Sequence, residues 1–245
     1  MAGFVTNALL LPFAPSLLHA QSNGDGFLFG QPRFSFSVRG GLAKPIAGSG
    51  VFDDASKFLT VSKGDFTGVS IASDLSVRVT QRVDATFSTG IMTRRVDSEF
   101  RDWVDDDDLP IEQYTSFRRV PFTAGVKYRL TSPGRSLGRL AWIPAKWTPY
   151  VGAGGGMMFY SFTQEGDFVD FQTLDVFPDK LESKSFTPTG YAHAGFDYSL
   201  SPRFTLVSDA RYDFGRAKMN TGDFEGYDDI DLSGVSLSVG FGIRF

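Results

Sequence analysis

Apolar and polar residues alternate along most of the chain with a period of two, in eight separate segments. This period is typical of β-strands that present one apolar face and one polar face. No segment shows a sustained helical period, and no Pro/Ser-rich linker divides the chain, so the pattern predicts one all-β domain over residues 21–245. The eight segments begin near Phe34, Val69, Val83, Val120, Thr148, Pro188, Phe204 and Val235.

The fifth segment is the least regular, because it contains the run Gly-Ala-Gly-Gly-Gly at 152–156. Its apolar face is predicted to carry Val151, Ala153, Met157 and Phe159. The run resembles a phosphate-binding loop only superficially, since neither Lys-Ser nor Lys-Thr follows it and no helical pattern follows either. Glycines that relieve crowding inside a barrel are the better interpretation.

Composition excludes several kinds of function. The chain has no cysteine and only two histidines, His19 and His193, which excludes disulfide scaffolds, thiolate metal sites and cysteine nucleophiles. A net charge of −4 argues against a nucleic-acid binder. No run of 18 apolar residues is present, so a spanning helix is not expected. No cofactor is expected.

The first twenty residues predict a signal peptide. They contain no charged residue, and an apolar stretch from Ala8 to Leu18 precedes the small residue Ala20, where cleavage is expected. The absence of Lys or Arg near Met1 departs from the usual pattern, and a buried amphipathic N-terminal helix is the alternative. Cleavage after Ala20 would export a chain of residues 21–245.

Alternation alone does not tell which face of the strands meets water, because a soluble lipocalin-like barrel also alternates, with its apolar face inward. Connection lengths favour a membrane barrel. Long connections, roughly 43–65, 97–112, 165–184 and 217–231, fall on one side, whereas tight turns at 80–82 and 199–203 fall on the other. The connection 131–147 is the one longer segment on the short side. Outer-membrane barrels show this asymmetry.

Charge and aromatic residues point the same way. The connections 97–112, 165–184 and 217–231 carry net charges of −7, −4 and −4, whereas 131–147 carries +3. Aromatic residues fall in two bands that resemble girdles at the two membrane interfaces. The predicted inner band is Phe34, Tyr128, Trp147, Tyr198, Phe204 and Phe245, and the predicted outer band is Phe66, Phe159, Phe186, Tyr212 and Phe214.

Backbone groups in lipid must all be paired, so the strands must close on themselves. The sequence therefore predicts an eight-stranded antiparallel up-and-down transmembrane β-barrel in the outer membrane of a Gram-negative cell. With the alternating strands and the final segment SLSVGFGIRF, the chain resembles small outer-membrane barrels of the OmpA/OmpW-like type, and TPYVGAGGGMMFY resembles a strand common in that group. The resemblance covers the whole mature chain but implies no single activity.

The resemblance also implies that the barrel-assembly machinery reads the last strand, through Val239, Phe241, Ile243 and Phe245. Outer-membrane lipid and lipopolysaccharide are the other expected partners, and the protein is expected to be a monomer. Two functions remain open beside a structural or surface-interaction role. One is a narrow channel or transporter for small solutes, and the other is a lipid-modifying enzyme.

Charged residues on the polar face are expected to fill the lumen as a network of ion pairs, because an eight-stranded barrel is only wide enough to hold side chains. A gated narrow pore or a lateral exit is the alternative. The expected network consists of Arg39, Asp74, Arg78, Asp84, Arg119, Lys127, Arg129, Asp197, Asp209, Arg211, Asp213 and Arg244.

An enzyme on this fold would use His with Ser. His193 has Ser199 nearby in sequence, but the two fall on opposite faces of a strand, so a hydrogen-bonded lumen histidine is expected and no catalytic residue is assigned. The acidic run Asp105, Asp106, Asp107 and Asp108 is a weak metal candidate that lacks the spacing of a calcium loop. A solvated acidic loop is the default interpretation.

Overall fold

The computed structural model describes residues 26–105, 108–138, 141–170, 173, 175–219, 222–224 and 226–245. The proposed signal peptide and its cleavage position Ala20 lie outside the described residues. Eight antiparallel strands, labelled β1 to β8 here, form the main sheet. They are Phe34–Pro45, Gly68–Arg78, Val83–Val104, Pro110–Arg129, Trp147–Val169, Val176–Ser199, Phe204–Phe214 and Gly234–Arg244.

Each of the eight strands pairs with its two neighbours in sequence, and β8 pairs with β1, so the sheet returns on itself as an up-and-down barrel. The predicted fold class is therefore confirmed. The predicted alternation is confirmed as well. Along β8, Val235, Val239 and Phe241 face outward and are exposed, whereas Ser238 and Arg244 face the interior and are buried.

The outward surface of this ring is a belt of exposed apolar side chains, such as Leu42, Leu75, Phe87 and Val126. A soluble barrel would bury this face. A ring whose backbone groups are paired and whose outer surface is apolar is a transmembrane barrel, and barrels of this construction belong to the outer membrane of Gram-negative bacteria. No helix in the described ranges is long and apolar enough to cross a membrane.

The four middle strands are about twice as long as the other four. Strands β3, β4, β5 and β6 have 22, 20, 23 and 24 residues, whereas β1, β2, β7 and β8 have 11 or 12. The expected loops 97–112 and 165–184 are therefore mostly strand, which corrects the sequence prediction. Strand β3 ends at Val104 and β4 begins at Pro110, while β5 ends at Val169 and β6 begins at Val176.

The apolar face changes sides along these long strands. In β4, the outward residues Phe122, Val126 and Tyr128 are exposed, but farther along the apolar side chains of Phe117 and Ile111 point inward and are buried. The outward positions there are polar or charged. This reversal marks where the strand leaves the membrane and begins to enclose a water-excluded core of its own. It is the sequence signal that would have predicted long strands instead of loops.

The connection 43–65 also carries structure that the sequence did not predict. The segment 43–65 contains the helix α1, Gly50–Phe58, which buries Val51, Phe52 and Ala55. A 3-10 turn follows at Lys63–Phe66, where the side chains of Ser62 and Asp65 form a capping box. Helix α1 has only 9 residues, too few for a sustained helical period to show in the sequence.

Short elements complete the fold. At the end with the tight turns, a hairpin of Gly134–Leu137 and Ala141–Pro144 pairs with Leu28–Phe29 as a small three-stranded sheet. At the other end, Arg216–Ala217 pairs with Ile230–Asp231, and a 3-10 turn spans Gly222–Phe224. The end with tight turns is the periplasmic end, and the end with the long strands is the outer end, following the general rule for outer-membrane barrels.

The glycine run of β5 makes room for large interior side chains. A Cβ added at Gly152 would lie 2.2 Å from Nε2 of His193, and one at Gly154 would lie 2.8 Å from a ring carbon of Tyr191. Side chains could not be added there without displacing these rings. The interpretation of the glycines as relief of crowding is therefore confirmed.

The outward face can be tested with two matched substitutions on β8. Val239 lies mid-strand and Val235 lies near the outer end, both on the outward face. We expect Val239→Arg to lower the free energy of unfolding by about 2–4 kcal/mol and Val235→Arg by only about 0–1 kcal/mol, since the cost of a charge depends on its depth in the bilayer. Urea unfolding in lipid vesicles measures both, and equal effects would contradict the assigned membrane belt.

Candidate functional site: the filled barrel interior

Asp209 is the centre of the polar layer at mid-barrel. Its carboxylate accepts hydrogen bonds from the Tyr150 hydroxyl at 2.8 Å and contacts Nδ1 of His193 at 2.9 Å. Nη1 of Arg39 lies 2.6 Å from the same carboxylate. Arg39 also pairs with Asp74, whose carboxylate accepts a hydrogen bond from Ser88 at 2.5 Å. Arg39 on β1 thus joins two buried carboxylates, one on the neighbouring strand β2 and one on β7, which lies two strands away in the other direction.

Two further groups of ion pairs flank this centre. Arg129 pairs with Asp84 at 2.6 Å and approaches Asp197 at 3.9 Å, nearer the periplasmic end. Arg211 pairs with Asp213 at 2.8 Å on its own strand and stacks over the Tyr191 ring, 3.8 Å from its centroid. Each contact satisfies a charge that would be costly if it were isolated in the interior.

The remaining predicted network residues are placed in the interior but find other kinds of partner. Arg119 donates a hydrogen bond to the carbonyl oxygen of Leu232. Lys127 lies over the Tyr150 ring, 4.2 Å from its centroid, and Arg244 donates to the Ser199 hydroxyl at 3.0 Å. Arg78 lines the periplasmic mouth and is partly exposed.

The outer half of the interior contains a large apolar cluster, which corrects the expectation that the lumen is polar along its whole length. Phe52 of helix α1 is fully buried at its centre, with ring centroids 5.0, 5.4 and 5.6 Å from those of Phe66, Phe117 and Phe162. We call this layer the outer cap. Its other buried members include Val51, Val61, Met92, Val96, Met158, Met219, Phe224, Ile230 and Leu232.

The outer cap changes the role of two predicted features. Phe66 was placed in the outer aromatic band, but its 3-10 turn directs the side chain into the cap, where it is fully buried. The segment 217–231 is likewise more than an acidic loop, because Phe224 and Ile230 pack into the cap. At its rim, burial and a hydrogen bond to Asp54 raise the pKa of Tyr227 to about 12.

A second plug covers the periplasmic end. Trp142, from the hairpin strand Ala141–Pro144, is 2% exposed. Its ring lies beside the guanidinium of Arg244, whose Cζ atom is 5.8 Å from the ring centroid. The connection 131–147, which the sequence marked as an exception, is therefore the part of the chain that closes this mouth. We call Trp142 and its hairpin the inner plug.

His193 and Ser199 both face the interior, because an even spacing of six residues places them on one face of β6, which corrects the expectation of opposite faces. Their side chains nevertheless do not come together. The ring of His193 bonds Asp209, and the Ser199 hydroxyl donates to the carbonyl oxygen of Ala145 at 2.7 Å. Two tyrosines border the histidine ring, with centroids 5.5 Å away for Tyr150 and 5.4 Å away for Tyr191. The arrangement of the described residues matches a structural histidine and not a nucleophile with its base.

Asp105 and Asp108 of the acidic run lie at the tip of the β3–β4 hairpin. Asp105 accepts a hydrogen bond from the backbone N–H of Leu109 at 2.8 Å and bonds the N–H of Asp108 through its carbonyl oxygen at 3.1 Å. Asp106 and Asp107 lie outside the described residues. Among the described residues, no group of three or more metal-binding side chains is found.

The residues of the expected assembly signal lie on the outward face of β8. Val239, Phe241 and Phe245 are exposed and Ile243 is half-buried. The Phe245 ring stacks on Phe34, with centroids 6.2 Å apart, in the inner aromatic band. This placement leaves the four side chains facing lipid; their recognition by the assembly machinery stays a prediction.

No protein-family model and no curated protein matches the chain. Similar solved structures are outer-membrane proteins of the kind that the sequence resembles. Neisserial surface protein A is 12% identical, with 90% of this chain and 98% of that chain covered and a TM-score of 0.43. Outer membrane protein W of Escherichia coli is 15% identical, with 87% and 98% covered and a TM-score of 0.37.

A third similar structure is the outer membrane protease OmpT of Escherichia coli. It is 10% identical to this chain, with 91% of this chain and 99% of that chain covered and a TM-score of 0.38. Similarity at this level assigns neither an activity nor a partner to the protein. The interior and the outer surface of the barrel itself therefore provide the observations that bear on function.

The network centre can be tested by neutralising its hub. We expect Asp209→Asn to lower the free energy of unfolding by about 3–5 kcal/mol, since it leaves Arg39 and His193 buried without their shared anion. Asp97→Asn is the matched control, because the Arg95–Asp97 pair is solvent-exposed and worth at most about 1 kcal/mol. Urea titrations of both variants in vesicles measure the difference, and similar losses would show that Asp209 is not a hub.

The outer cap can be tested at Phe52. We expect Phe52→Ala to cost about 3–5 kcal/mol, because the substitution opens a cavity among three packed rings. Lys57→Ala on the exposed face of the same helix is the control and should change stability by less than about 0.5 kcal/mol. Amide hydrogen exchange should show faster exchange in helix α1 for the Phe52 variant, and unchanged exchange there would contradict the cap.

Proposed function

We propose that the protein is a non-conducting outer-membrane barrel that acts at its outer surface, as an envelope or surface-interaction protein. The observation that carries this proposal is the succession of three filled layers along the barrel axis. The outer cap, the ion-paired layer around Asp209 and the inner plug each place buried side chains across the interior. An eight-stranded ring is narrow enough for side chains to fill it completely.

The ion-paired layer is the strongest support among the three. Arg39 connects carboxylates on β2 and β7. The side chains of Arg39 and Asp209 are only 3% and 1% exposed, so a solute path through this level would have to separate a buried ion pair. Separating a buried pair leaves charges without partners, which costs about 3–5 kcal/mol. Conduction would therefore require a rearrangement of the network and not merely the movement of a loop.

The outer surface supports an interaction role. The β3–β4 and β5–β6 hairpins extend beyond the membrane belt, and their tips expose the apolar residues Val104, Leu109, Val176 and Phe177. Acidic residues adjoin both tips in the chain: Asp105 and Asp108 at the first, and Asp170 and Asp175 at the second. Apolar residues held in water on a long hairpin are typical of a contact surface for another molecule.

An enzymatic role has less support. The Asp209–His193 contact resembles part of a catalytic dyad, but the histidine is buried among tyrosines and Ser199 bonds elsewhere. Lipid A mass with and without expression of the protein tests acyl chemistry directly. A mass change that depends on His193 would contradict the proposal.

Planar-bilayer conductance of the refolded protein tests the proposal. We expect no discrete openings from protein whose folding is verified by heat-modifiable gel mobility, while a known porin opens in the same bilayers. Discrete openings that persist across preparations would favour the narrow channel instead. The Asp209→Asn variant, which weakens only the ion-paired layer, should also show no discrete openings if the outer cap and the inner plug suffice to close the two ends.

A further inference from the structure

An arginine-rich pocket lies at the periplasmic mouth, below the ion-paired layer. It is lined by Arg33, Arg78, Arg129 and Arg244, together with Asp84 and Trp142. Three of these arginines come from the ends of β2, β4 and β8, which the barrel register brings to one level, and Arg33 immediately precedes β1. The cavity itself is small, about 30 Å³, and it is open to solvent at the mouth.

The positive charge of this pocket exceeds its negative charge. Asp84 and Asp197 are the carboxylates that partly compensate this charge. Arg129 contacts both, with Nη2 lying 2.6 Å from Oδ2 of Asp84 and 3.9 Å from Oδ2 of Asp197. Arg33 and Arg129 lie close enough to Arg78 to repel it. Like charges gathered at the edge of a low-dielectric interior are unfavourable unless an anion compensates them.

Several guanidinium donors in the pocket have no hydrogen-bond partner among the described residues. They are Nη1 of Arg78, Nε of Arg129 and Nη2 of Arg244, all of them removed from solvent. Arg129 and Arg244 are 8% and 5% exposed. Oδ2 of Asp84, which pairs with Arg129, is one buried acceptor in the same pocket that also has no hydrogen-bond partner. Buried donors on charged groups normally have acceptors, and the three free donors outnumber this one acceptor, which indicates an anion.

The position of the pocket matches the level of lipid headgroups. Phe34, one of its lining residues, belongs to the inner aromatic band and stacks on Phe245. Aromatic bands of membrane proteins lie at the headgroup level. The exposed side chain of Arg33 stands at the same rim.

We propose that this pocket binds a phosphate-class oxyanion at the periplasmic face of the barrel. Guanidinium groups present planar, forked donors that match the oxygens of phosphate, and several arginines around one anion give the strongest form of this recognition. The anion compensates the excess positive charge and accepts the donors that the protein leaves free. Its source is either free phosphate or the phosphate of a phospholipid headgroup in the inner leaflet.

Calorimetric titration of inorganic phosphate into the full chain, refolded in a maltoside detergent that contains no phosphate, tests the site. Sodium chloride at matched ionic strength controls for screening. We expect saturable binding of one phosphate to the native chain, weakened about tenfold or more in Arg78→Gln, since one charged hydrogen bond is lost. Arg33→Gln, at the exposed rim, is the second variant and should weaken binding without disturbing the fold.

Arg82→Gln is the matched control, because Arg82 lies on the exposed turn at the same end and removes the same charge without lining the pocket. It should bind phosphate as the native chain does. Equal weakening by Arg82→Gln and Arg78→Gln would overturn the proposal, since it would reduce the effect to net charge. Heat-modifiable mobility verifies that every variant is folded.

A second arm distinguishes the two sources of phosphate. The protein is refolded in phosphatidylglycerol nanodiscs, released into detergent and weighed by native mass spectrometry. One retained phosphatidylglycerol that is lost in Arg78→Gln and kept in Arg82→Gln would identify the headgroup as the ligand, even where free phosphate binds poorly. Absence of both phosphate binding and retained lipid in the native chain would overturn the proposal.

Discussion

The requirement that backbone N–H and C=O groups be paired in lipid controls the rest of this structure. Eight strands satisfy it by closing on themselves, and closure at this number leaves an interior the width of a few side chains. The inward side chains must then pack against one another, independently of which residues face outward. The interior is filled by different chemistry at different depths: an apolar cluster at the outer end, ion pairs in the middle, and Trp142 among arginines at the periplasmic end.

The ionic layer lies where the barrel is surrounded by lipid, and the apolar layer lies where the long strands stand in water. This division follows from the two faces of one strand. Within the membrane, the apolar side chains are committed to lipid and the interior receives the polar ones. Beyond the membrane the outward face must be polar, so Phe117, Phe162 and their neighbours turn inward and pack against Phe52.

The sequence predicted the strands, their number and their inward and outward faces, because alternation records each side chain's environment directly. It did not predict the outer cap, because the alternation continues with reversed phase beyond the membrane and the acidic residues there look like loops. Phe66 was assigned to the wrong environment for a different reason, because a 3-10 turn has no alternating pattern that shows which way a side chain faces. The partners within the lumen also could not be derived, because Arg39 meets Asp74 and Asp209 only through the register of the closed ring.

Thiol accessibility tests most directly whether packed side chains close the barrel to solutes, since the chain has no native cysteine. Ser238→Cys places a thiol on the buried inward face at mid-barrel, and Ser185→Cys places one on an exposed position of β6. A small water-soluble thiol reagent, added to both sides of protein-containing vesicles, should modify the second variant promptly and leave the first unmodified while the barrel is folded. Modification of both at similar rates would show that water and solutes reach the middle of the barrel, and would contradict the account.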